Sequence, residues 1–134
     1  MIQKFEFRET EIAGLIEVTP FNADDIRGCF TKDYSKEVFE ANGIHHDLDE
    51  VFYTTSHQGV IRALHFQRVK QQPKLVRCIW GHVWDVVVDL RKDSPTFQKW
   101  LAFDLIGDKH NEILVPAGCA HGYLVLEDSI VSYK

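Results

Sequence analysis

The feature that most constrains the fold of this chain is its succession of short β-prone runs separated by turn residues. The stretch from residue 59 to 90 shows the pattern most clearly, because β-branched and aromatic residues dominate it. It predicts three strands, at residues 60–67, 74–80 and 83–90, with Gly81-His82 as a two-residue turn between the last two. Many such strands with little helix predict an all-β domain, either a sandwich or a small barrel.

The rest of the chain follows the same pattern and adds one short helix. The helix is expected from about residue 35 to 42, with Ser35 as its N-cap, Phe39 on its apolar side and Asn42-Gly43 at its end. Residues 20–25 are expected to form a loop. Further strands are predicted at residues 4–8, 15–18, 29–31, 47–54, 100–105, 112–115, 122–127 and 130–133.

Length and charge exclude several classes of protein. The 134 residues suit a single domain that spans residues 1–134. A formal net charge of −5 argues against a general nucleic-acid binder, although the basic cluster of Arg68, Lys70, Lys74 and Arg77 is compatible with a small anionic ligand. No apolar run approaches the ~20 residues needed to cross a membrane.

Cysteine usage and the N-terminal segment favour a cytoplasmic protein. The three cysteines, Cys29, Cys78 and Cys119, are odd in number and form no metal-type pairs, which is typical of reduced thiols. The first residues lack the apolar core of a signal peptide. We therefore expect a cytoplasmic location.

One predicted strand contains acidic residues in an apolar setting. With Gly81-His82 as the turn, Cys78 would lie opposite Asp85 and Lys74 opposite Asp89, so that all four would share one face of the sheet. A carboxylate in such a strand must find a partner or shift its pKa. The pattern is equally compatible with a structural Lys–Asp pair and with a functional site.

The first predicted strand of this region contains candidate site residues. His65 and Gln67 fall on one of its faces, whereas Arg62 falls on the other by strict alternation. A bulge or a strand end would be needed to bring the three together. A lone strand histidine is more often a hydrogen-bonded core residue than a catalyst, but His121 provides a second histidine in the turn-rich loop 115–122.

That loop matches half of a known barrel signature. The spacing Pro116-x-Gly118-x-x-His121 resembles the second half of the cupin signature, which belongs to a jelly-roll barrel. In metal-binding cupins an earlier His-x-His completes the ligand set. Here residues 64–67 read Leu-His-Phe-Gln, so we expect neither a metal site nor a cofactor.

Five segments follow one another along the chain, VIRALHFQ, KLVRC, GHVWDVVVD, RKDSPTFQKW and PAGCAHGYLVL, and together they resemble the dTDP-4-dehydrorhamnose 3,5-epimerase family. VIRALHFQ is similar to the family's LRGLHxQ, KLVRC to KLVRV, and GHVWDVVVD to GxVxDVxVD. RKDSPTFQKW is similar to RxxSPTFGxW, and PAGCAHGYLVL to PxGFAHGFxxL. The similarity is strongest from about residue 60 to 134 and weaker upstream, where IRGCF resembles DxRGxF.

The resemblance implies a homodimeric cupin jelly roll that acts in deoxysugar biosynthesis. Such an isomerase inverts the carbons that flank the 4-keto group of a nucleotide-linked 6-deoxy hexose. His65 matches the family's catalytic base and Tyr133 the acid that returns a proton to the opposite face of the sugar. Lys74 matches the residue near the 4-keto oxygen, where a fixed cation favours the enolate.

The resemblance also implies roles for residues around the catalytic group. Asp85 is expected to be a catalytic partner of Lys74 or His65. Arg27 is expected to reach the nucleotide of the neighbouring subunit. The substrate-binding residues implied by the resemblance are Arg62, Gln67, His121, Arg27 and Phe30.

Four features depart from the family pattern. The match ends at Lys134, before the family's C-terminal part and its aspartate that partners the base. Lys32 stands where the family has a glutamate, Ala63 where it has a glycine, and residues 50–52 read Glu-Val-Phe where it has Gln-x-Asn. Because Lys32 and residues 50–52 fall in the family's nucleotide site, the nucleotide stays open among dTDP, CDP and GDP.

Three alternatives to a 3,5-epimerase stay open at this point. The first is an epimerase that acts at C3 only. The second, from a different class, is a cupin that binds a nucleotide sugar without turnover. The third is a metal-dependent cupin oxygenase.

Overall fold

The computed structural model of the chain describes residues 3–69 and 71–134, and its main element is one eight-stranded antiparallel sheet. The strands are β1 (Glu6–Glu9), β2 (Ile16–Thr19), β3 (Phe21–Asp25), β4 (Gly28–Lys32), β5 (Phe52–Ser56), β6 (Ile61–His65), β7 (Lys74–Asp89), β8 (Trp100–Ile106), β9 (Glu112–Val115) and β10 (Cys119–Tyr133). A helix, α1 (Lys36–Ala41), and one 3-10 turn (Gly107–Lys109) complete the described chain. This confirms the predicted all-β class with one short helix.

The sheet is organised around its two long strands. Its hydrogen-bonded order is β1-β2-β9-β7-β10-β5, with β8 added to β7 and β6 added to β10. β7 and β10 pair along most of their length, and each also pairs with shorter strands. The residues enclosed between these strands form the main core: Ile12, Leu15, Val76, Cys78, Val83, Val87, Leu105, Ile113, Val115, Cys119, Tyr123, Val125, Val131 and Tyr133.

The predicted turn at Gly81-His82 is wrong, because β7 runs through it without a break. Gly81 has φ +90°, and a Cβ atom there would lie only 2.2 Å from the Asp128 carbonyl oxygen of β10. Gly81 therefore allows a backbone irregularity where β7 and β10 approach closely. Glycine is common at such irregularities and also in turns, so the sequence around Gly81 resembles a turn.

The continuous strand changes the partners expected for its polar residues. Cys78 lies opposite Val131 rather than opposite Asp85. Lys74 lies opposite Val115 rather than opposite Asp89. The expected cross-strand pairings of Lys74 with Asp89 and of Cys78 with Asp85 are therefore wrong.

A second core lies outside the barrel, beneath the helix. The predicted helix is confirmed, and the Ser35 hydroxyl accepts a hydrogen bond from the Val38 backbone N–H at 3.4 Å, as an N-cap does. Its buried residue, Phe39, packs edge-on against Tyr34 and Phe7. This packing fixes the helix on the outer side of the sheet.

The hairpin β3–β4 is separate from the main sheet and corrects one prediction. Residues 20–25 were expected to be a loop, but Phe21–Asp25 pairs with Gly28–Lys32 as an antiparallel ribbon. No residue of either strand is fully buried, so polar residues are tolerated there. In the sequence such polar residues usually indicate a loop. The predicted edge strand at residues 29–31 is confirmed as β4.

In the described part of the chain, no helix is long and apolar enough to span a membrane.

Candidate active site

A bulge between β6 and β10 sets the position of the candidate base. His65 lies opposite His121 and Arg62 lies opposite Tyr123, so two residues of β6 face only Gly122 of β10. A Cβ atom on Gly122 would lie 2.6 Å from the Ala63 Cα, which explains the glycine. The structure thus contains the bulge that the spacing of Arg62 and His65 required.

Two adjoining cavities lie at this end of the barrel. The smaller, of about 20 Å³, is lined by His65, His121 and the 115–119 loop. The larger, of about 370 Å³, is lined by Tyr133 and by residues of the loop before β5. Gln67 and Lys74 line both cavities, so the two belong to one site.

Lys74 is the cation at the junction of the cavities. It begins β7 and is half-buried. This burial lowers the pKa of its ammonium group, because desolvation disfavours the charged form. A lysine with a lowered pKa gives up a proton, or shares it with an enolate oxygen, more readily than an exposed one.

Asp85 contacts His121, not Lys74 or His65 as expected from the sequence. The Asp85 Oδ2 lies 2.6 Å from the His121 Nε2, and the two side chains are 0% and 1% exposed. Burial raises the pKa of the Asp85 carboxyl, and the contact with His121 offsets part of this rise. Asp85 lines neither cavity, and its contact with a cavity-lining residue is the one with His121.

Tyr133 faces inward, as predicted, near the end of β10. It is 6% exposed, and its backbone pairs with β5 on one side and β7 on the other. Burial raises the pKa of its phenol, Tyr123 and Asp85 raise it further, and the Arg62 guanidinium opposes this rise. The phenol is therefore a protonated group at neutral pH.

The other expected substrate-binding residues fall into two groups. Arg62 is among the lining residues of neither cavity and donates from Nε to the Ser56 Oγ at 2.7 Å. Arg27 and Phe30 belong to the β3–β4 hairpin and line neither of the two cavities of their own chain. Arg27 is instead paired with Asp25 inside the hairpin.

Sequence reasoning missed the aromatic surroundings of Tyr133. Phe52 stacks on its ring, and Tyr123 lies beside it with its hydroxyl 2.7 Å from the Thr54 Oγ1. The predicted strand at residues 47–54 contained Phe52, but only its register against β10 brings it to Tyr133. The alternation of inward and outward side chains along β5 was the sequence signal that could have placed Phe52 on the side facing Tyr133.

Within residues 3–69 and 71–134, no three His, Cys, Asp or Glu side chains come close enough to hold a metal ion together.

Comparison with known proteins relates this site to one family. A family model described as dTDP-4-dehydrorhamnose 3,5-epimerase matches residues 9–134. A dTDP-4-dehydrorhamnose 3,5-epimerase of Methanothermobacter thermautotrophicus is 41% identical over 132 residues, which cover 98% of this chain and 71% of the relative.

Solved structures give the same relationship. A dTDP-4-dehydrorhamnose 3,5-epimerase from Bacillus anthracis with TDP and PPi bound has a TM-score of 0.92 at 40% identity, covering 98% of this chain and 77% of that one. A dTDP-6-deoxy-D-glucose-3,5-epimerase from Legionella pneumophila in complex with dTDP-4-keto-L-rhamnose has a TM-score of 0.93 at 34% identity, covering 98% and 71%. The fold is thus the expected cupin-type jelly roll, and the chain belongs to the dTDP-4-dehydrorhamnose 3,5-epimerase family of isomerases.

Proposed function

We propose that this protein epimerises a nucleotide-linked 4-keto-6-deoxy hexose at C3 and C5 through an enolate. The observation that carries the proposal is the placement of three side chains. His65 lines one of the joined cavities, Tyr133 lines the other, and Lys74 lines both. A base, an acid and a cation around one pocket are the groups that inversion next to a ketone requires.

His65 is the proposed base. A proton beside a carbonyl group is weakly acidic, and imidazole is the side chain best suited to remove it near neutral pH. His65 is exposed to the cavity at the end of β6. Its register opposite the buried His121 anchors this strand end against β10.

Tyr133 is the proposed acid. Inversion requires that the proton return to the face opposite the one it left, because a single group acting from one face would restore the starting configuration. The raised pKa of the buried phenol keeps it protonated at neutral pH. The enolate carbon takes that proton, and the phenolate is reprotonated from water.

Lys74 is proposed to stabilise the enolate. Negative charge develops on the 4-keto oxygen when the neighbouring proton leaves, and a fixed ammonium in a partly desolvated cavity favours that charge. Gln67, which lines both cavities, and Arg62 and His121 are proposed to bind the sugar and its phosphates. Asp85 is proposed to hold His121 for this purpose.

The nucleotide is proposed to be dTDP, because related structures contain TDP or a dTDP-sugar. The larger cavity has an acidic wall formed by Asp47, Asp49 and Glu50. Carboxylates accept hydrogen bonds from the amino groups of cytosine or guanine, so CDP- and GDP-sugars belong in the same assay.

We also propose that the protein is a homodimer. Ile61, Leu124 and Trp84 lie side by side across β6, β10 and β7 on the outer face of the sheet. Trp100, opposite Val88, extends this apolar face onto β8. Ile61, Trp84 and Trp100 are all exposed in one protomer, and a face of this kind is typical of an interface.

The β3–β4 hairpin is the proposed arm that reaches the other subunit. It pairs with no strand of the main sheet, and its tip residue Ile26 is fully exposed, as is much of Phe30. Arg27 at the tip would exchange its pairing with Asp25 for a substrate phosphate of the partner.

Solvent-deuterium exchange tests the proposed reaction. The protein is incubated in D₂O with dTDP-, CDP- and GDP-linked 4-keto-6-deoxy hexoses, and deuterium at C3 and C5 is followed by NMR. Exchange with inversion at both carbons is expected for one of these substrates. Exchange at C3 alone would indicate a C3-only epimerase, and tight binding without exchange would indicate a non-catalytic binding protein.

A further inference from the structure

We infer that Phe52 is a positioning residue that fixes the ring of Tyr133 for proton return, an inference that rests on the proposed function. Phe52 is the first residue of the edge strand β5 and lies directly opposite Tyr133 in the register with β10. The two rings are parallel, with centroids 4.8 Å apart and planes 9° apart. This is the offset stack that aromatic pairs favour, formed between cross-strand neighbours.

Phe52 differs from the other neighbours of Tyr133 in covering a flat face of its ring. His121 meets the ring at 76° with centroids 6.2 Å apart, and Tyr123 is tilted by 44° at 6.5 Å. Phe52 is itself 45% exposed and lines the larger cavity. Both rings line this cavity, so removal of the Phe52 ring would uncover one face of the Tyr133 ring and leave room for the phenol to rotate.

The rest of the inward row of β5 supports this role. Residues 52, 54 and 56 face the same side of the strand, because side chains alternate along it. The Thr54 Oγ1 lies 2.7 Å from the Tyr123 hydroxyl, and the Ser56 Oγ accepts from the Arg62 Nε at 2.7 Å. The three residues of this row thus contact Tyr133, Tyr123 and Arg62 in turn, and Phe52 is the one that contacts the proposed acid.

The geometry of proton return explains why such a residue is needed. The phenol must reach the enolate carbon from the face opposite His65, and a catalytic group works only within narrow limits of distance and angle. Tyr133 is the last residue of β10. A parallel ring on the adjacent strand restricts the plane of the phenol without contributing a polar group to the reaction.

The test separates proton removal from proton return. In D₂O, the ratio of epimer formed to deuterium incorporated at the same carbon reports how often the enolate is protonated from the second face. Phe52→Leu should lower this ratio and the kcat for epimerisation by about tenfold, while the exchange rate stays near the wild-type value. Phe52→Tyr, which keeps the stack, should restore the ratio, and Phe52→Met provides a second non-aromatic variant.

Phe97→Leu changes a similarly exposed phenylalanine in a loop that lines neither cavity and should leave the ratio unchanged. An unchanged ratio in folded Phe52→Leu and Phe52→Met would overturn the inference, as would an equal loss of exchange and epimerisation. A wild-type protein that exchanges no deuterium with any substrate would instead overturn the proposed function.

Discussion

The His121 Nε2 lies 2.6 Å from the Asp85 Oδ2 in the interior of the barrel, with both side chains almost completely buried. A second His–Asp pair, His82 with Asp104 at 2.8 Å, lies near the surface of the same sheet, and its Asp104 side chain is exposed. The two pairs have the same chemistry and similar geometry but very different environments. Removing one member should therefore have very different consequences.

Asp85→Ala should lower the free energy of unfolding by about 3–5 kcal/mol, because it leaves His121 buried without its partner. Asp104→Ala is the matched control and should cost about 0–1 kcal/mol, as expected for an exposed pair. Urea unfolding of both variants at pH 7 measures the difference. Equal losses in the two variants would contradict the structural role assigned to the buried pair.

His65→Asn should lower kcat by at least ~100-fold, because general-base catalysis contributes about that much or more. Deuterium incorporation at C3 and C5 should fall together with the rate, while the circular dichroism spectrum is unchanged. His57→Asn, an exposed histidine in the turn before β6, should exchange deuterium normally. A folded His65→Asn variant that exchanges at the wild-type rate would remove His65 from the mechanism.

The pH above which activity falls should be set by the pKa of Lys74. Burial lowers its pKa below the ordinary value of 10.5, so the ammonium loses its proton at a lower pH than an exposed lysine does. As the pH rises through that lowered pKa, kcat/KM should fall. In Lys74→Arg, where the guanidinium stays charged, the residual activity should continue to higher pH. If kcat/KM falls at the same alkaline pH in the wild-type protein and in Lys74→Arg, the titrating group is not Lys74.

The stability of the loop after β7 should depend on the Asp89 carboxylate at neutral pH. The Asp89 carboxylate accepts hydrogen bonds from Arg91, from the Ser94 Oγ at 2.6 Å and from the Thr96 Oγ1 at 2.7 Å. Burial raises its pKa, but these hydrogen bonds outweigh burial and hold the pKa well below its usual range. Its stabilising contribution is therefore complete above the ordinary pKa of 3.8 and is lost as the pH falls toward the lowered value.

Asp89→Asn should consequently reduce stability by about 2–3 kcal/mol at pH 7 and by progressively less as the pH falls below 4. Asp93→Asn changes an exposed residue of the same loop and should have little effect. Thermal unfolding at pH 7 and pH 3 provides the comparison. A difference between the variants that does not change with pH would contradict the lowered pKa of Asp89.

The proposed arm should act only between subunits. Arg27→Ala should raise the Kd for the nucleotide sugar about tenfold, as expected for loss of a charged hydrogen bond. Lys92→Ala, in the exposed loop after β7, should leave the Kd unchanged. A wild-type protein that is monomeric in light scattering at micromolar concentration would contradict the arrangement.

The sequence predicted those parts of the molecule whose signal is local. Ser35 and the residues after it define the helix, and the strand at residues 112–115 has the predicted bounds. The resemblance of the segment around His65 to the family motif indicated a candidate site, and His65 lines the smaller cavity of the structure. Its required bulge is present where Gly122 meets β6.

Features that depend on contacts between distant segments could not be predicted. Glycine is a typical turn residue, and only the close approach of the Asp128 carbonyl oxygen shows that Gly81 lies in an irregularity within a continuous strand. The residue opposite Asp85 depends on the register of β7 and β10, so the wrongly predicted turn at Gly81-His82 led to a wrong partner for Asp85. The stack of Phe52 on Tyr133 depends in the same way on the register of β5.

The most direct test of the central claim, proton transfer at two faces by His65 and Tyr133, is the product analysis of Tyr133→Phe in D₂O. The variant lacks the proposed acid but keeps the ring, and Tyr53→Phe on the exposed face of β5 is its control. With a dTDP-linked 4-keto-6-deoxy hexose, we predict that Tyr133→Phe incorporates deuterium with retention of configuration and forms little epimer. Epimer formation by Tyr133→Phe at the wild-type rate would contradict the account.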